Sequence, residues 1–224
     1  MTWRSRSLPH RPVAPPGRRR AWQVSAAAPA WQTRPSDPAP VGTCHTTTYR
    51  FDPRDPPPNV GGAVPDLPFR YGAKDTRRLE ARPDVLTFTS DALEDQCDVV
   101  GPVAAQLHVR SSRDHTDFYT KLCDVTPRGR SIHICDGITR LSPDQARPDD
   151  SGIHRVVIDM AGTAYRFPAG HRIRLQVSSG AHPRFTRNLG TAEPLATATS
   201  MHPAEQELMH GGPYPSRLLL PIHR

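Results

Sequence analysis

The sequence predicts an all-β fold, a sandwich or barrel of short antiparallel strands. Two observations support this prediction. From residue 83 onward, short runs alternate apolar with polar side chains, the pattern of strands that have one face on a core and the other toward water. Stretches rich in Gly, Pro and Asp separate these runs, and no segment has the periodicity of a long amphipathic helix.

The clearest strands lie between residue 100 and the C-terminus. Every second side chain is apolar in residues 103–109 (VAAQLHV), 154–160 (HRVVIDM) and 172–178 (RIRLQVS). The last stretch predicts a β-hairpin, because residues 205–210 (EQELMH) and 216–222 (SRLLLPI) flank the turn-forming GGPYP.

Residues 115–140 (HTDFYTKLCDVTPRGRSIHICDGITR) contain three aspartates, two histidines and two cysteines. The turn around PRGR divides this stretch into predicted strands at 116–126 and 131–141. On the first strand, alternation places Asp117 and Cys123 on one face. On the second, it places His133 and Cys135 on the face opposite Asp136.

Two kinds of chemistry would suit these residues. A soft metal site would need His133, Cys135 and Cys123 to converge, but zinc takes about four ligands and no fourth follows at a usual spacing. We therefore favour cysteines that behave as small apolar residues. The three aspartates could pair for acid/base chemistry, yet each lies beside a turn or strand end, where aspartate usually accepts backbone hydrogen bonds.

Motifs of catalytic and cofactor sites are missing from the sequence. It has no G-x-S-x-G nucleophile elbow, phosphate-binding loop, dinucleotide-binding glycine pattern, H-E-x-x-H or C-x-x-C motif. Ser178 and Ser179 lie near His182 in sequence, but no nearby acid could orient this histidine. We predict no catalytic residue, no metal and no cofactor in this chain.

The N-terminal part has a different composition. Residues 1–40 hold seven arginines and one acid, Asp37, and so carry +6 of the formal net charge of +7, which leaves +1 for the rest. Prolines recur through residues 1–68 without apolar periodicity, so this part buries too little surface to offset the entropy of ordering. We expect a disordered Arg/Pro-rich tail at 1–47, an extended linker packed on the sandwich at 48–82, and the sandwich at 83–224.

Charge and hydropathy also limit the expected partners. A nearly neutral body does not favour phosphate binding. No apolar run reaches the roughly 18–20 residues of a membrane span, and the arginine-rich start lacks the apolar core of a signal peptide. We expect a cytoplasmic protein that binds neither nucleic acid nor a membrane.

Five ordered blocks carry a resemblance to a known family. They are TYRFDPRDPPPNVGG (48–62), DTRRLEARPDVLTFTSDAL (75–93), VVGPVAAQLHVRSSRDHTDFYTKLCDVTPRGRSIHICDGITR (99–140), GHRIRLQVSSGAHPRFTRN (170–188) and PSRLLLPI (215–222). In this order they resemble the C-terminal domain of the cocaine esterase-like and X-Pro dipeptidyl-peptidase family of serine hydrolases. The residues before 44 lack the family pattern.

The resemblance implies a jelly-roll β-sandwich of the galactose-binding-like kind, in agreement with the strand pattern. In this family an N-terminal α/β-hydrolase domain carries the Ser-Asp-His triad, and the C-terminal sandwich packs on it and walls part of the substrate cleft. The family releases Xaa-Pro dipeptides or hydrolyses acyl and amino-acid esters. Because no triad position lies in the matching blocks, the implied partner is an α/β-hydrolase catalytic domain, in cis or in trans, without which the sandwich is inactive.

Structural or cleft-lining roles are expected for five residues: Asp117, Asp124, Asp136, Arg184 and Asn188. The aspartates flank the two strands of the third block, and the other two lie on the loop PRFTRN. Arg184 could reach a neighbour and bind a carboxylate through two hydrogen bonds or stack on an aromatic ring, or it could brace its own loop, and we favour the brace.

A different class of function is the alternative: an autonomous carbohydrate- or protein-binding module, since jelly rolls often bind carbohydrate. That function favours exposed aromatic side chains. Aromatic residues make up only 6% of the chain, and all three tryptophans lie within residues 1–40.

Overall fold

The computed structural model describes residues 19–23, 44–62 and 72–223. Within these ranges the chain forms two antiparallel sheets and a single short helix, α1 (Arg77–Glu80), which confirms the predicted all-β sandwich. The strands are β1 (Arg19–Gln23), β2 (His45–Phe51), β3 (Leu86–Thr89), β4 (Cys97–Ser111), β5 (Thr116–Val125), β6 (Ser131–Leu141), β7 (His154–Phe167), β8 (Arg172–Ser178), β9 (Ala204–His210) and β10 (Arg217–His223).

The larger sheet is organised around β4. This strand pairs with β7 over most of its length and with β10 and β9 over successive parts of it. Beyond them, β10 pairs with β1, and β9 pairs with β2. The smaller sheet has the order β3-β8-β5-β6. The two sheets enclose one apolar core, to which Leu107, Phe118, Ile158, Leu175 and Leu218 contribute fully buried side chains.

The predicted core-facing side chains are confirmed in β7 and β8, although the other face of β8 is buried at Gln176. In β8, Ile173, Leu175 and Val177 are buried in the core. In β7, Arg155 and Asp159 are exposed on the opposite face. Burial of these alternate apolar side chains holds the two sheets together, because apolar area removed from water stabilises the fold by roughly 25 cal/mol per Å².

Strand β5 departs from the half-buried pattern, since all ten of its residues are buried. One face lies on the core. Residues 53–62, 72–82 and 180–190, which we call the cover, contact the other face. They do so through a hydrogen bond from Lys121 to Val60 and a ring contact between Tyr119 and Phe185, among others. The small sheet is therefore enclosed on both sides at its centre.

Two strands come before residue 83, where the predicted sandwich begins. Strand β1 lies within the predicted disordered tail, yet it pairs with residues 217–221 of β10. Strand β2 begins in the predicted tail, ends in the predicted linker that packs on the sandwich, and pairs with the whole of β9. Backbone hydrogen bonding to a free sheet edge requires no apolar alternation in the added strand, so composition did not predict these pairings. The remainder of residues 1–43 lies outside the described residues.

The two sheets approach closely where β6 meets β7. A Cβ atom added to Gly137 would lie 2.2 Å from the carbonyl oxygen of Asp159. We expect Gly137→Ala to lower the free energy of unfolding by about 1–3 kcal/mol, because backbone atoms must shift to make room. Gly180→Ala is the control, since no atom lies within 4 Å of its Cβ position. Urea denaturation compares the two variants, and equal midpoints would contradict this close packing.

Candidate functional site

The face of the small sheet that lies under the cover carries charged and polar side chains. The pairing of β5 with β6 and β8 brings these side chains together across three strands. We call them, with the cover residues that contact them, the polar layer: Asp117, Tyr119, Lys121, Cys123, His133, Asp136, Arg140, Arg174 and Gln176 from the sheet, and Thr76, Glu80, Arg184 and Asn188 from the cover.

Several contacts of the polar layer meet at Asp136. Its Oδ2 accepts a hydrogen bond from the Tyr119 hydroxyl at 2.6 Å and another from the Arg184 guanidinium. The same oxygen lies 3.5 Å from His133 Nε2. Burial by itself raises the pKa of this carboxyl, but the hydrogen bonds from Arg184 and Tyr119 outweigh burial and leave the pKa below its ordinary value. Asp136 is therefore an ionised carboxylate under the cover.

Lys121 is a fully buried neighbour of this carboxylate in the sheet. Its ammonium donates a hydrogen bond to the backbone carbonyl of Val60 in the cover at 2.8 Å. Burial lowers the pKa of Lys121, while the nearby Cys123 and Asp136 act in the opposite direction. The contact ties residues 57–62 to the centre of the sheet.

Asp117, at the start of β5, forms a second ion pair. Its carboxylate accepts hydrogen bonds from Arg140 Nε at 2.9 Å and Nη2 at 3.0 Å, and from Asn188 Nδ2 at 2.8 Å. Asn188 Oδ1 in turn accepts a hydrogen bond from the backbone N–H of Gly190 at 3.0 Å. This group of contacts fixes the loop that follows β8 onto the sheet.

A third group of contacts fastens α1. Glu80 accepts hydrogen bonds from Arg174 at 2.5 Å and from Gln176 at 2.7 Å. Gln176 also donates to Thr76 Oγ1 at 2.8 Å, and its amide nitrogen lies 3.3 Å from the Cys123 sulfur. Burial raises the pKa of the Cys123 thiol to about 11, so this sulfur stays protonated.

The five residues named from the sequence fall into three places. Asp136 pairs with Arg184, and Asp117 pairs with Asn188, so the structure brings these two pairs together. Asp124 has other partners: Tyr165 donates to it at 2.8 Å, and His171 Nδ1 is hydrogen-bonded to it at 2.8 Å. The three aspartates therefore brace three separate parts of the molecule and do not share a proton.

The face assignment predicted for β6 is wrong at His133. Alternation alone places His133 opposite Asp136, but the β5–β6 register shifts between Leu122 and Cys123. As a result His133 pairs with Cys123 and contacts Asp136, while Cys135 packs in the core. A β-bulge adds one residue to a strand without any signal in composition, so the alternation could not reveal it.

The remaining chemical candidates from the sequence are held by other contacts. Within the described ranges, no three His, Cys, Asp or Glu side chains are arranged to hold a metal ion. The Ser178 hydroxyl donates to the Gly180 carbonyl at 3.3 Å, and the Ser179 hydroxyl is hydrogen-bonded to Tyr49 at 2.9 Å. No helix among the described residues has the length and apolar character needed to cross a membrane.

Comparison with known proteins identifies the family. Residues 13–219 match the model of the X-Pro dipeptidyl-peptidase C-terminal non-catalytic domain. The chain belongs to this family. The match to the X-Pro dipeptidyl-peptidase C-terminal domain begins at residue 13, so the family pattern includes residues that the sequence blocks had left out. It also covers most of the strands of both sheets.

Curated relatives are longer than this chain. Cocaine esterase of Rhodococcus sp. (strain MB1 Bresler) is 39% identical over 188 residues, which cover 81% of this chain and 33% of the esterase. A putative serine esterase of Mycobacterium bovis is 29% identical over 147 residues, which cover 55% of this chain and 23% of that protein. The chain thus spans a third or less of the length of these relatives.

Solved structures share the fold at lower sequence identity. An aminopeptidase from a marine sediment Thaumarchaeota archaeon gives a TM-score of 0.79 at 23% identity, and the match covers 92% of this chain and 37% of that one. An α-amino acid ester hydrolase gives a TM-score of 0.74 at 22% identity, with 91% and 36% covered. The β-sandwich is therefore an architecture that larger hydrolases contain.

We expect removal of the Asp136 carboxylate to cost more stability than removal of one partner of an exposed ion pair. Asp136→Ala leaves Arg184 without its carboxylate in a largely buried position, which costs about 3 kcal/mol or more in the free energy of unfolding. Glu205→Ala removes the exposed pair with Arg50, in which both side chains are more than half exposed, and should cost less than about 1 kcal/mol. Guanidinium denaturation measures both variants, and similar losses would contradict the bracing role of Asp136.

We also expect His133 to make the fold sensitive to acid. Burial, followed by the charge of Lys121, lowers the pKa of His133 to about 4, whereas an unfolded histidine has a pKa of about 6.5. Between these values the unfolded chain binds more protons than the folded one. His133 therefore contributes its full stability above about pH 6.5 and loses it as the pH falls toward 4, at up to about 1.4 kcal/mol per pH unit.

Unfolding free energies measured between pH 4 and 7 test this contribution. His133→Phe should have a flatter pH dependence than the unchanged protein, while His223→Phe, at an exposed position, should keep the original slope. Burial also lowers the pKa values of His108 and His210, so part of the slope remains in both variants. Identical slopes for the His133 variant and the unchanged protein would rule out this contribution.

Proposed function

We propose that this domain is the accessory β-sandwich of a serine hydrolase, which packs on an α/β-hydrolase catalytic domain in cis or in trans and walls part of its substrate cleft. The match of residues 13–219 to a non-catalytic domain of a peptidase family carries this proposal. The names of the longer relatives, a cocaine esterase and a putative serine esterase, support it. The assembled enzyme would cleave an ester or an Xaa-Pro amide through an acyl-serine intermediate.

The nucleophile is proposed to come from the partner domain. Ser178 and Ser179 are hydrogen-bonded to Gly180 and Tyr49, and among the described residues neither is bonded to His182. A serine that lacks a hydrogen-bonded base is a weak nucleophile. These contacts support a structural role for both serines and an isolated domain without hydrolase activity.

The polar layer is proposed to give the partner domain a rigid surface. Asp136 and Arg184 hold the loop after β8, Asp117 and Asn188 hold its far end, and Lys121 holds the segment before α1. Asp124 braces the turn between β7 and β8 through His171. Loops that are already ordered can line a cleft without losing further conformational entropy when substrate binds.

A free-standing carbohydrate-binding module has less support. Stacking on sugar rings needs exposed aromatic side chains, whereas the exposed large apolar residues within 44–62 and 72–223 are Val100, Val157 and Leu195. A protein-binding role is contained in the main proposal, because the catalytic domain is itself the protein partner.

Activity assays on the separated and combined parts test the proposed function. The chain alone should hydrolyse neither a nitrophenyl ester nor an Xaa-Pro anilide, and the double variant Ser178→Ala/Ser179→Ala should match it. Co-expression with the part of the Rhodococcus cocaine esterase that this chain does not match should yield a complex with higher esterase activity than that part alone.

A matched control replaces the nucleophilic serine in the esterase part, which should abolish the activity of the complex. Turnover by the isolated chain that survives the double alanine substitution would contradict the accessory role. A failure of the two parts to co-purify, with both shown to be folded by circular dichroism, would also contradict it.

A further inference from the structure

A pocket opens beside the polar layer at the edge where β6 and β7 meet. Its volume is about 330 Å³. The pocket is lined by Gly62 and Gly72 of the cover, by residues 133–136 of β6, and by residues 161–163 and 165 of β7. A space of this volume matches the lower end of the range for small-molecule sites, roughly 300–1,000 Å³.

One buried polar atom of the pocket lining lacks a hydrogen bond. The side chain of His133 is only 2% exposed, and its Nε2 has no hydrogen-bond partner among the described residues. The carboxylate oxygen of Asp136 lies 3.5 Å away, which is too long for a normal hydrogen bond. A buried ring nitrogen without a partner is costly, so a ligand that satisfies it gains binding free energy.

The charges near the pocket disfavour charged ligands. Lys121 and Arg184 place two positive charges around Asp136, and these oppose a further cation. The carboxylate of Asp136 lines the pocket itself and opposes an anion. Burial keeps the His133 ring neutral, since its pKa is lowered to about 4. A neutral group that can donate or accept a hydrogen bond therefore suits Nε2.

The rest of the lining combines small apolar residues with Thr163 and with Tyr165, whose hydroxyl is already hydrogen-bonded to Asp124. Ala73, Ile134 and Ala161 face the pocket with no hydrogen-bonding side chain, and Gly162 leaves additional room. Such a lining suits a compact ring or a short alkyl group, because apolar contact supplies affinity while one polar group fixes orientation.

We propose that this pocket binds a small neutral molecule with a primary amide or hydroxyl group on a compact apolar body, and that this group is hydrogen-bonded to His133 Nε2. The inference goes beyond the accessory role proposed above and does not depend on it, because this chain alone forms the pocket.

Binding of four small probes to the full chain tests the inference. Benzamide is the neutral ligand, benzoate and benzylammonium are its charged counterparts, and toluene lacks the polar group. Ligand-observed NMR gives the affinities, and ring ¹⁵N shifts of the histidines report contact with His133. Benzamide should bind at least about tenfold more tightly than the other three, the factor that one hydrogen bond commonly supplies.

Two variants locate the binding site. His133→Phe keeps a ring but removes the nitrogens, and it should weaken benzamide about tenfold. Ala161→Phe adds a ring at an exposed position of the lining and should block binding. Val157→Phe, at an exposed position on the same strand outside the lining, is the control and should bind benzamide as the unchanged protein does.

Several results would overturn the inference. These are no detectable binding of benzamide up to its solubility limit, equal affinity in the unchanged protein and the His133→Phe variant, and tighter binding of benzoate or benzylammonium. Retained binding in a folded Ala161→Phe variant would show that benzamide binds elsewhere. Co-purification with an esterase domain has no part in this test, so its outcome is independent of the proposed function.

Discussion

The carboxylate of Asp136 under the cover is the interaction on which the arrangement of the surrounding loops depends. It accepts hydrogen bonds from Tyr119 within the sheet and from Arg184 in the loop after β8. A buried carboxylate loses hydration that only well-placed donors can replace, and removal of one partner leaves an uncompensated charge. The loop therefore has one favourable position on the sheet, the position in which Arg184 reaches Asp136. The ion pair selects a conformation more than it adds net stability.

The double burial of β5 explains why this sheet face can hold so many charges. A strand with one face toward water needs no partners for its polar side chains, because water supplies them. In β5 the cover excludes water, so each polar group on that face needs a protein partner. Asp117 has Arg140, Lys121 has the Val60 carbonyl, and Tyr119 has Asp136. The cover and the sheet thus stabilise each other through contacts that neither could make alone.

Much of the fold could be predicted from the sequence, because alternation in β4, β7 and β8 reports directly which side chains face the core. The pairing of β1 and β2 with the sheet edges could not, since it rests on backbone hydrogen bonds that any side chains permit. The candidate site was predicted in part. Asp136 and Arg184 were named, but the bulge that brings His133 beside them leaves no trace in composition.

The burial of Lys121 is a second feature that the sequence did not predict. A lysine in the run FYTKLC could equally indicate a strand edge open to water, and only the contact with Val60 shows that it is enclosed. The signal was the presence of one of the two lysines of the chain within an apolar run. That signal marks an unusual position. It does not identify Val60 as the acceptor, because Val60 and Lys121 are far apart in sequence and local patterns do not show which distant residues meet.

The bond from Lys121 to Val60 ends on a backbone carbonyl and not on a side chain. Every amino acid carries this carbonyl, so the hydrogen bond between cover and sheet does not depend on the residue type at position 60. Substitution there can change the chemical character of the cover while the anchor stays in place. The sheet therefore fixes the position of residues 57–62, while the side chain at position 60 can vary.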